Sequence, residues 1–373
     1  MTLMEFSFSR VKFKSLISVN LMRYLPKRVL QMSKKIVVKC FVAIVVLVLS
    51  ATVAQAKINI DIVLVGDMGN AGELSGVGAG GYGTNRICGA VDYAYGIGKY
   101  EVTNSQYSEF LNAVADTDPN DLYKTSMAGG WNDVGGIIRS GSPGNYTYTT
   151  RTGRANRPVN HVSWYDTLRF TNWLHNGQPT GLQDSSTTEN GAYDMSLGSN
   201  VVRKPGAQFF LPTEDEWYKA AYYKGGSTNA GYWDYPTQSD SPPTAELPAG
   251  SNSVNGSANF RNPGHVDTTY HTTEVGAYTA KPSDSAYGTF DQGGNQWEWN
   301  EALIGSYRGA RGGCFDNTYA YLNSSFRCEG GPTNYDHGSG FRVARAVVPE
   351  PSTLALLVMG AVGFLACSRQ RKR

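Results

Sequence analysis

Phe210-Leu211-Pro212-Thr213-Glu214-Asp215-Glu216-Trp217 is the stretch on which the reading of this chain turns. Two apolar residues and a proline end a strand. Thr213, with Glu216 three residues on, forms a capping box, in which the hydroxyl accepts from the N3 amide and the N3 carboxylate accepts from the cap amide. Trp217, Ala220 and Ala221 then put an i, i+3, i+4 stripe on one helical face, and the indole is most simply core. The same device stands twice more upstream. Thr103-Asn104-Ser105-Gln106 opens onto Tyr107, Phe110, Leu111 and Val114, and Ser163-Trp164-Tyr165-Asp166 onto Leu168 and Trp173-Leu174. Three short, isolated helices are predicted. Between them run Gly/Ser/Thr/Asn-rich stretches, 116–157, 176–206 and 225–270, far longer than ordinary connections. Strand-like pieces are brief: Ile58–Val65, Tyr93–Val102 and Gly340–Val348. Trp297 and Trp299 alternate about Glu298 as a strand would place them. Such a chain is α+β, irregular and loop-rich, and its loops must be pinned by a compact scaffold, by metal, or by both.

The two ends do not belong to that scaffold. Lys34, Lys35 and Lys39 precede the apolar run Phe41–Leu49, and Ala54-Gln55-Ala56 follows. This is a basic region, an apolar region and a small-residue cleavage site, so cleavage is expected after Ala56. Residues 1–31 are long and basic for such a signal, and Met32 would give a conventional start. At the other end Val348-Pro349-Glu350-Pro351-Ser352-Thr353 leads into Leu354–Ala366, and the chain closes on Arg369, Arg371, Lys372 and Arg373. That apolar run falls short of the roughly 20 residues of an ordinary span, and the basic cluster marks a cytoplasmic stop. The arrangement resembles the PEP-CTERM sorting signal. It implies export, recognition of Pro349, Glu350 and Pro351 by an exosortase, and removal of the tail; an ordinary C-terminal transmembrane helix would equally imply export. The expected organisation is therefore an N-terminal extension and secretory signal peptide, 1–56, one domain, 57–347, and the sorting signal, 348–373. Contact with the membrane is expected only through the transient C-terminal segment, with signal peptidase and exosortase as partners during export. Roughly 290 residues suffice for one full core.

The formal net charge is +2, but both ends are basic, so the central domain is acidic. No basic patch with interleaved aromatics occurs, which excludes nucleic acid as a partner. Gly (43) and Tyr (23) are abundant while charged residues make up 17%, which suits an exported, turn-rich protein. Of the five cysteines, Cys88, Cys314 and Cys328 fall in the central domain. An oxidising compartment permits one disulfide, with Cys314 and Cys328 the natural pair, contributing about 3 kcal/mol in the chain-entropy account. The alternative is three buried, unreactive thiols.

Six motifs in order carry a family resemblance: Ile97-Gly98-Lys99-Tyr100-Glu101-Val102-Thr103-Asn104; Arg157-Pro158-Val159-Asn160-His161-Val162-Ser163-Trp164; Phe210–Trp217; Gly294-Asn295-Gln296-Trp297-Glu298-Trp299; Arg311-Gly312-Gly313; and Gly340-Phe341-Arg342. The chain from about 60 to 347 resembles the sulfatase-modifying-factor family, whose best-known members are the formylglycine-generating enzymes. The resemblance implies a single domain with a formylglycine-generating-enzyme-like variant of the C-type lectin fold. Asp291 and Glu298 offer two carboxylates around a Gly-rich turn, and calcium takes six to eight oxygens from carboxylates and carbonyls. The family segment similar to this one binds calcium, which implies side-chain ligands at Asp291 and Glu298 and carbonyls at Gly294 and Gln296. A second implied site has side chains of Asn259 and Asp267 and carbonyls of Phe260 and Thr269. The alternative is turn-capping carboxylates with no ion.

The family's enzymes hold Cu(I) on two cysteines, soft ligands suited to that ion. Here the two positions are Asn317 and Leu322, so copper and the formylglycine-generating activity are not expected. Cys314 stands at the motif's serine position, and Cys328 lies beyond the pair. The histidines (161, 175, 265, 271, 337) show no H-x-H or H-E-x-x-H spacing, so no zinc-hydrolase motif is visible. His161 reads as a hydrogen-bonded residue preceding a helix. Gly76-Val77-Gly78-Ala79-Gly80-Gly81 matches G-x-G-x-x-G formally, but no amphipathic helix follows, which removes the nucleotide reading. The expected function is a non-catalytic, calcium-stabilised binding protein of the envelope or extracellular matrix. Trp131, Tyr146, Tyr148, Trp233 and Tyr235 are candidates for stacking on a glycan or protein ligand. The alternative is a diverged oxidoreductase acting on a protein cysteine.

Overall fold

The computed structural model describes residues 57–347. The signal peptide, Pro349-Glu350-Pro351 and the apolar run Leu354–Ala366 lie outside the described residues. Among those described, no helix is long and apolar enough to cross a membrane.

The three capping boxes each start a helix. Helix α1 spans Asn104–Val114, α2 Trp164–His175 and α3 Glu214–Tyr222, with Thr103, Ser163 and Thr213 as N-caps and both reciprocal bonds made in every case. Two four-stranded sheets supply the frame. The first contains β1 (Ile62–Val65), β2 (Tyr95–Gly98), β3 (Phe209–Phe210) and β8 (Ala344–Ala346); the second contains β4 (Trp297–Ile304), β5 (Tyr307–Arg311), β6 (Cys328–Gly330) and β7 (Ser339–Gly340). The first runs β1-β2-β8-β3 and is antiparallel throughout. The second runs β6-β5-β4-β7, with β7 parallel to β4 through Trp297↔Ser339.

Helices α1 and α2 bury their apolar faces against each other through Tyr107, Phe110, Phe170 and Trp173. Ring centroids there lie 5.3 to 5.9 Å apart, and Phe341 adds an edge contact to Phe170 at 5.2 Å. Offset and edge arrangements of this kind suit the ring quadrupoles. Buried indoles find acceptors, as they must: Trp164 donates to the Asn300 carbonyl and Trp299 to that of Val162, tying α2 to β4. Helix α3 packs Trp217, Tyr218, Ala221 and Tyr222 with Cys88 in a second cluster.

Two expectations need correction. The stretch 116–157 is not all loop: Ile137–Ser140 pairs with Thr147–Thr150 as a hairpin, held down by buried Ile137 and Tyr148. The Cys314–Cys328 disulfide is not formed, and Cys88, Cys314 and Cys328 are all free thiols. Cys328 sits on β6 opposite Ala310. Cys314 lies past the end of β5, packed with Val134 and Phe315 under Gly338, whose added Cβ would meet its Sγ at 2.9 Å. The two sulfurs thus serve different clusters.

Candidate functional site

Strand β5 delivers Arg311 to a fully buried position. Glu214, the first residue of α3, accepts from Arg311 (Nη2–Oε1, 2.7 Å) and from Arg327 (Nη2–Oε2, 2.7 Å), with Arg86 Nη1 at 3.3 Å. Burial works against ionisation of Glu214, but Arg327 and Arg311 overcome it and hold the carboxyl down to about 2. This anchor fixes where the chain leaves β5. Gly312 follows at φ +96°, and a Cβ there would stand 2.7 Å from the Gln292 carbonyl, so the turn requires glycine.

The turn then carries the two positions where the family's thiolates would stand. The side-chain oxygen of Asn317 accepts from the Cys314 amide at 2.9 Å, closing the loop on itself. Leu322 is fully buried with Tyr235, Ala258 and Phe260. One is a turn cap and the other is core, so neither offers a soft donor. Cys314 does not replace them: burial pushes its thiol up to about 12, which leaves it inert.

Beside this turn lies a groove of about 630 Å³. One wall is the glycine-rich run that had formally matched a nucleotide motif. Its role here is close approach: a Cβ on Gly81 would meet the Ser325 carbonyl at 2.2 Å, and the Gly76 amide donates to that same carbonyl. The other wall is 319–326. Tyr82 stacks on Phe326 at 5.1 Å and 18°, yet remains 59% exposed, as Tyr319 is 48% exposed. Tyr235, Glu73, Asp234 and Asn323 complete the lining. Of the five aromatics singled out from sequence, Tyr235 is thus at the groove. Tyr148 is buried, with its hydroxyl on the Ala115 carbonyl. Tyr146 lies under Arg139, Trp233 lies under Lys224, and Trp131 stands elsewhere among histidines. Sequence reasoning missed Tyr82 and Tyr319. The glycines flanking Tyr82 were the available signal.

Of the two expected calcium-ligand sets, the structure links the first to Asn259 of the second through the Gly294-Asn295 turn. Gly294 lies against Asn259, where an added Cβ would come within 2.3 Å of the Asn259 carbonyl, and the Asn295 amide donates to that carbonyl. Asn259 Nδ2 donates to the His271 carbonyl, which brings Asn259 to the turn holding Asp267 and Thr269. Its Oδ1 is buried without a partner, which suits a cation. Asp291 is half-buried, its Oδ2 accepts the Gly276 amide at 2.7 Å, and desolvation raises its carboxyl to about 6. Glu101, which the sequence reading did not propose as a ligand, is buried beside them; its Oε2 accepts from Asn295 and its Oε1 has no partner. Glu298 fits less well. Arg342 holds both of its oxygens (2.6 Å each) and Trp217 donates to Oε2 at 2.7 Å, so it already faces a cation. Asp267 likewise takes the Thr269 and Tyr270 amides on Oδ1 and faces Arg157 at 3.3 Å. Among the described residues no three His, Cys, Asp or Glu side chains stand placed for a metal; calcium built largely from carbonyls and amides needs fewer.

The histidines, unremarkable in spacing, converge. His161, His265, His271 and His337 gather around Trp131, Phe315 and Asp316, leaving only His175 apart. His161, which precedes the N-cap of α2, is hydrogen-bonded through its backbone: its amide donates to the Asp336 carbonyl, its φ is +58°, and its ring Nε2 is buried unpartnered. Burial and then His337 lower its pKa to about 4.

Two small sheets, three capped helices and long loops pinned by buried ion pairs are those of a formylglycine-generating-enzyme-like domain, a loop-rich variant of the C-type lectin fold. Residues 90–347 match the sulfatase-modifying factor enzyme 1-like domain, and the chain belongs to that family. Residues 347–372 match the PEP-CTERM protein-sorting motif, which implies export, processing by an exosortase, and a place in the cell envelope or outside it. Among solved structures, CarF is similar at 23% identity, over 78% of this chain and 99% of that one, with a TM-score of 0.45. Variable protein 1 of Treponema denticola is similar at 20% identity, over 78% and 96%, with a TM-score of 0.46. PvdO from Pseudomonas aeruginosa is similar at 18% identity, over 79% and 100%, with a TM-score of 0.45. No curated protein matches the chain.

Proposed function

We propose that the processed protein is a non-catalytic, calcium-stabilised binding protein of the envelope or extracellular matrix, and that a saccharide chain occupies the Tyr82–Phe326 groove. The observation that carries this reading is a replacement. Where the family's thiolate pair would stand, the chain has a turn-capping Asn317 and a core Leu322, while the surface beside them displays Tyr82 and Tyr319. Aromatic faces meet the apolar faces of sugar rings, and Glu73, Asp234 and Asn323 supply acceptors for hydroxyls. Calcium belongs to the same proposal. Asp291 with the carbonyls of Gly294 and Gln296 would hold one ion, and Asn259 and Asp267 with the carbonyls of Phe260 and Thr269 a second, while Glu298 stays committed to Arg342. The bound ions would offset the charge of Glu101 and Asp291 and cross-link the loops.

Titration of the full-length chain, purified in detergent, against a set of defined oligosaccharides tests the groove. Tyr82→Ala and Tyr319→Ala should each weaken binding about tenfold, in keeping with roughly 1–1.5 kcal/mol for an aromatic contact. If every oligosaccharide that binds does so equally well to both variants, the groove is not the site. Conversion of a cysteine peptide to formylglycine by the copper-loaded protein would overturn the non-catalytic reading.

A further inference from the structure

Three imidazoles, His265 and His271 from one loop and His337 from another, meet around Asp316. His265 Nε2 lies 2.9 Å from Asp316 Oδ1, and His337 Nε2 lies 3.9 Å from Asp316 Oδ2. All three side chains are between 22% and 28% exposed, so solvent reaches them. His337 stacks on Trp131 at 4.4 Å, and Trp131 and Phe315 form an aromatic wall behind the three. His271 stands next to His265, with ring centroids 4.9 Å apart, and is nine-tenths buried; its Nδ1 has no partner. The charged neighbours are Arg261, 3.6 Å from Asp316, and the acidic Asp267 and basic Arg154 that face His271.

We propose that His265, His337 and Asp316 bind a divalent first-row transition ion of the zinc class, with His271 as a further imidazole beside it. Two imidazoles and one carboxylate are the donor set such ions prefer over hard cations. Two ligand atoms on a tetrahedral ion with bonds of about 2.0 Å stand about 3.3 Å apart. The two observed nitrogen–oxygen distances bracket that separation. They are not yet a coordination shell, which agrees with no three such side chains being placed for a metal among the described residues. Closure asks for movement of His337, the more distant of the two imidazoles and, at 28%, part exposed. The site lies apart from the calcium neighbourhood in donor chemistry: it offers nitrogen where that one offers oxygen.

The test is zinc binding to the full-length chain in detergent, in the presence of excess calcium, by isothermal titration. Cobalt(II) serves as a second probe whose visible bands report nitrogen ligation. One equivalent of zinc is expected. His265→Ala and His337→Ala should each weaken it at least tenfold, Asp316→Asn should do so with the side-chain shape kept, and His175→Ala should leave it unchanged. Melting in EDTA establishes that each variant is folded. The proposal is overturned if the wild-type chain binds no zinc, if excess calcium displaces it, or if folded variants bind as the wild type does.

Discussion

Glu214 illustrates how single residues hold this molecule. Its two oxygens gather guanidinium groups from residues 86, 311 and 327, which no local contact would bring together. The folded carboxyl lies at about 2 against an ordinary 4.5. A depressed carboxylate contributes stability that is fully present above its unfolded value and is lost as pH falls through the folded one. At about 1.4 kcal/mol per unit the shift corresponds to about 3 kcal/mol. Urea midpoints should therefore drop as pH is lowered from 4.5 towards 2. Glu214→Gln should cost about 3–5 kcal/mol at neutral pH, by leaving buried guanidinium groups without a counter-charge, and should flatten that acid limb. An unchanged acid limb in the variant would show that other carboxylates govern it.

At the level of elements, the helices were legible because their signals are local. Thr103/Gln106, Ser163/Asp166 and Thr213/Glu216 each sit three residues apart and each forms the box its spacing announced. Ser163→Ala should cost about 1 kcal/mol, as caps do, measured by thermal unfolding. A loss below a few tenths would mean that the packing of Trp164 and Phe170 alone sets the start of α2. The strand reading of Trp297-Glu298-Trp299 also held, but alternation could not show that both faces are occupied, with Trp299 in the main core and Glu298 between Trp217 and Arg342. What stayed hidden was non-local. Nothing in the spacing of His161, His265, His271 and His337 marks them as neighbours, because the loops that bring them together have no period. The two cysteines misled for the same reason: proximity in sequence suggested a pair that the end of β5 and the ladder of β6 keep apart. Tyr148 is buried against its surface-like sequence context because a two-stranded hairpin inside a Gly-rich stretch gives little alternation to read.

At the scale of the whole molecule, long loops are held by buried polar groups as well as by apolar packing. Glu101, Asp291 and Glu298 face one another's charge with Arg342 as their counter-ion. A cation that binds the folded state alone stabilises it by mass action, about 2.7 kcal/mol at a hundredfold excess over its dissociation constant. If calcium occupies this neighbourhood, EGTA should lower the melting temperature of the full-length chain by several degrees, calcium should restore it, and Asn259→Ala should blunt the response. A melting temperature indifferent to EGTA would leave Arg342 as sufficient counter-charge.

The strand order of the first sheet bears on how the protein is made. Strand β8 is the last strand among the described residues, yet it lies inside the sheet, paired on one edge with β2 and on the other with β3. Arg342, just before it, supplies the guanidinium that Glu298 requires. A ribosome that has not yet released these residues therefore displays a domain without its central strand and with a buried carboxylate unmet. The first sheet therefore cannot be completed until residues 342–346 have left the ribosome.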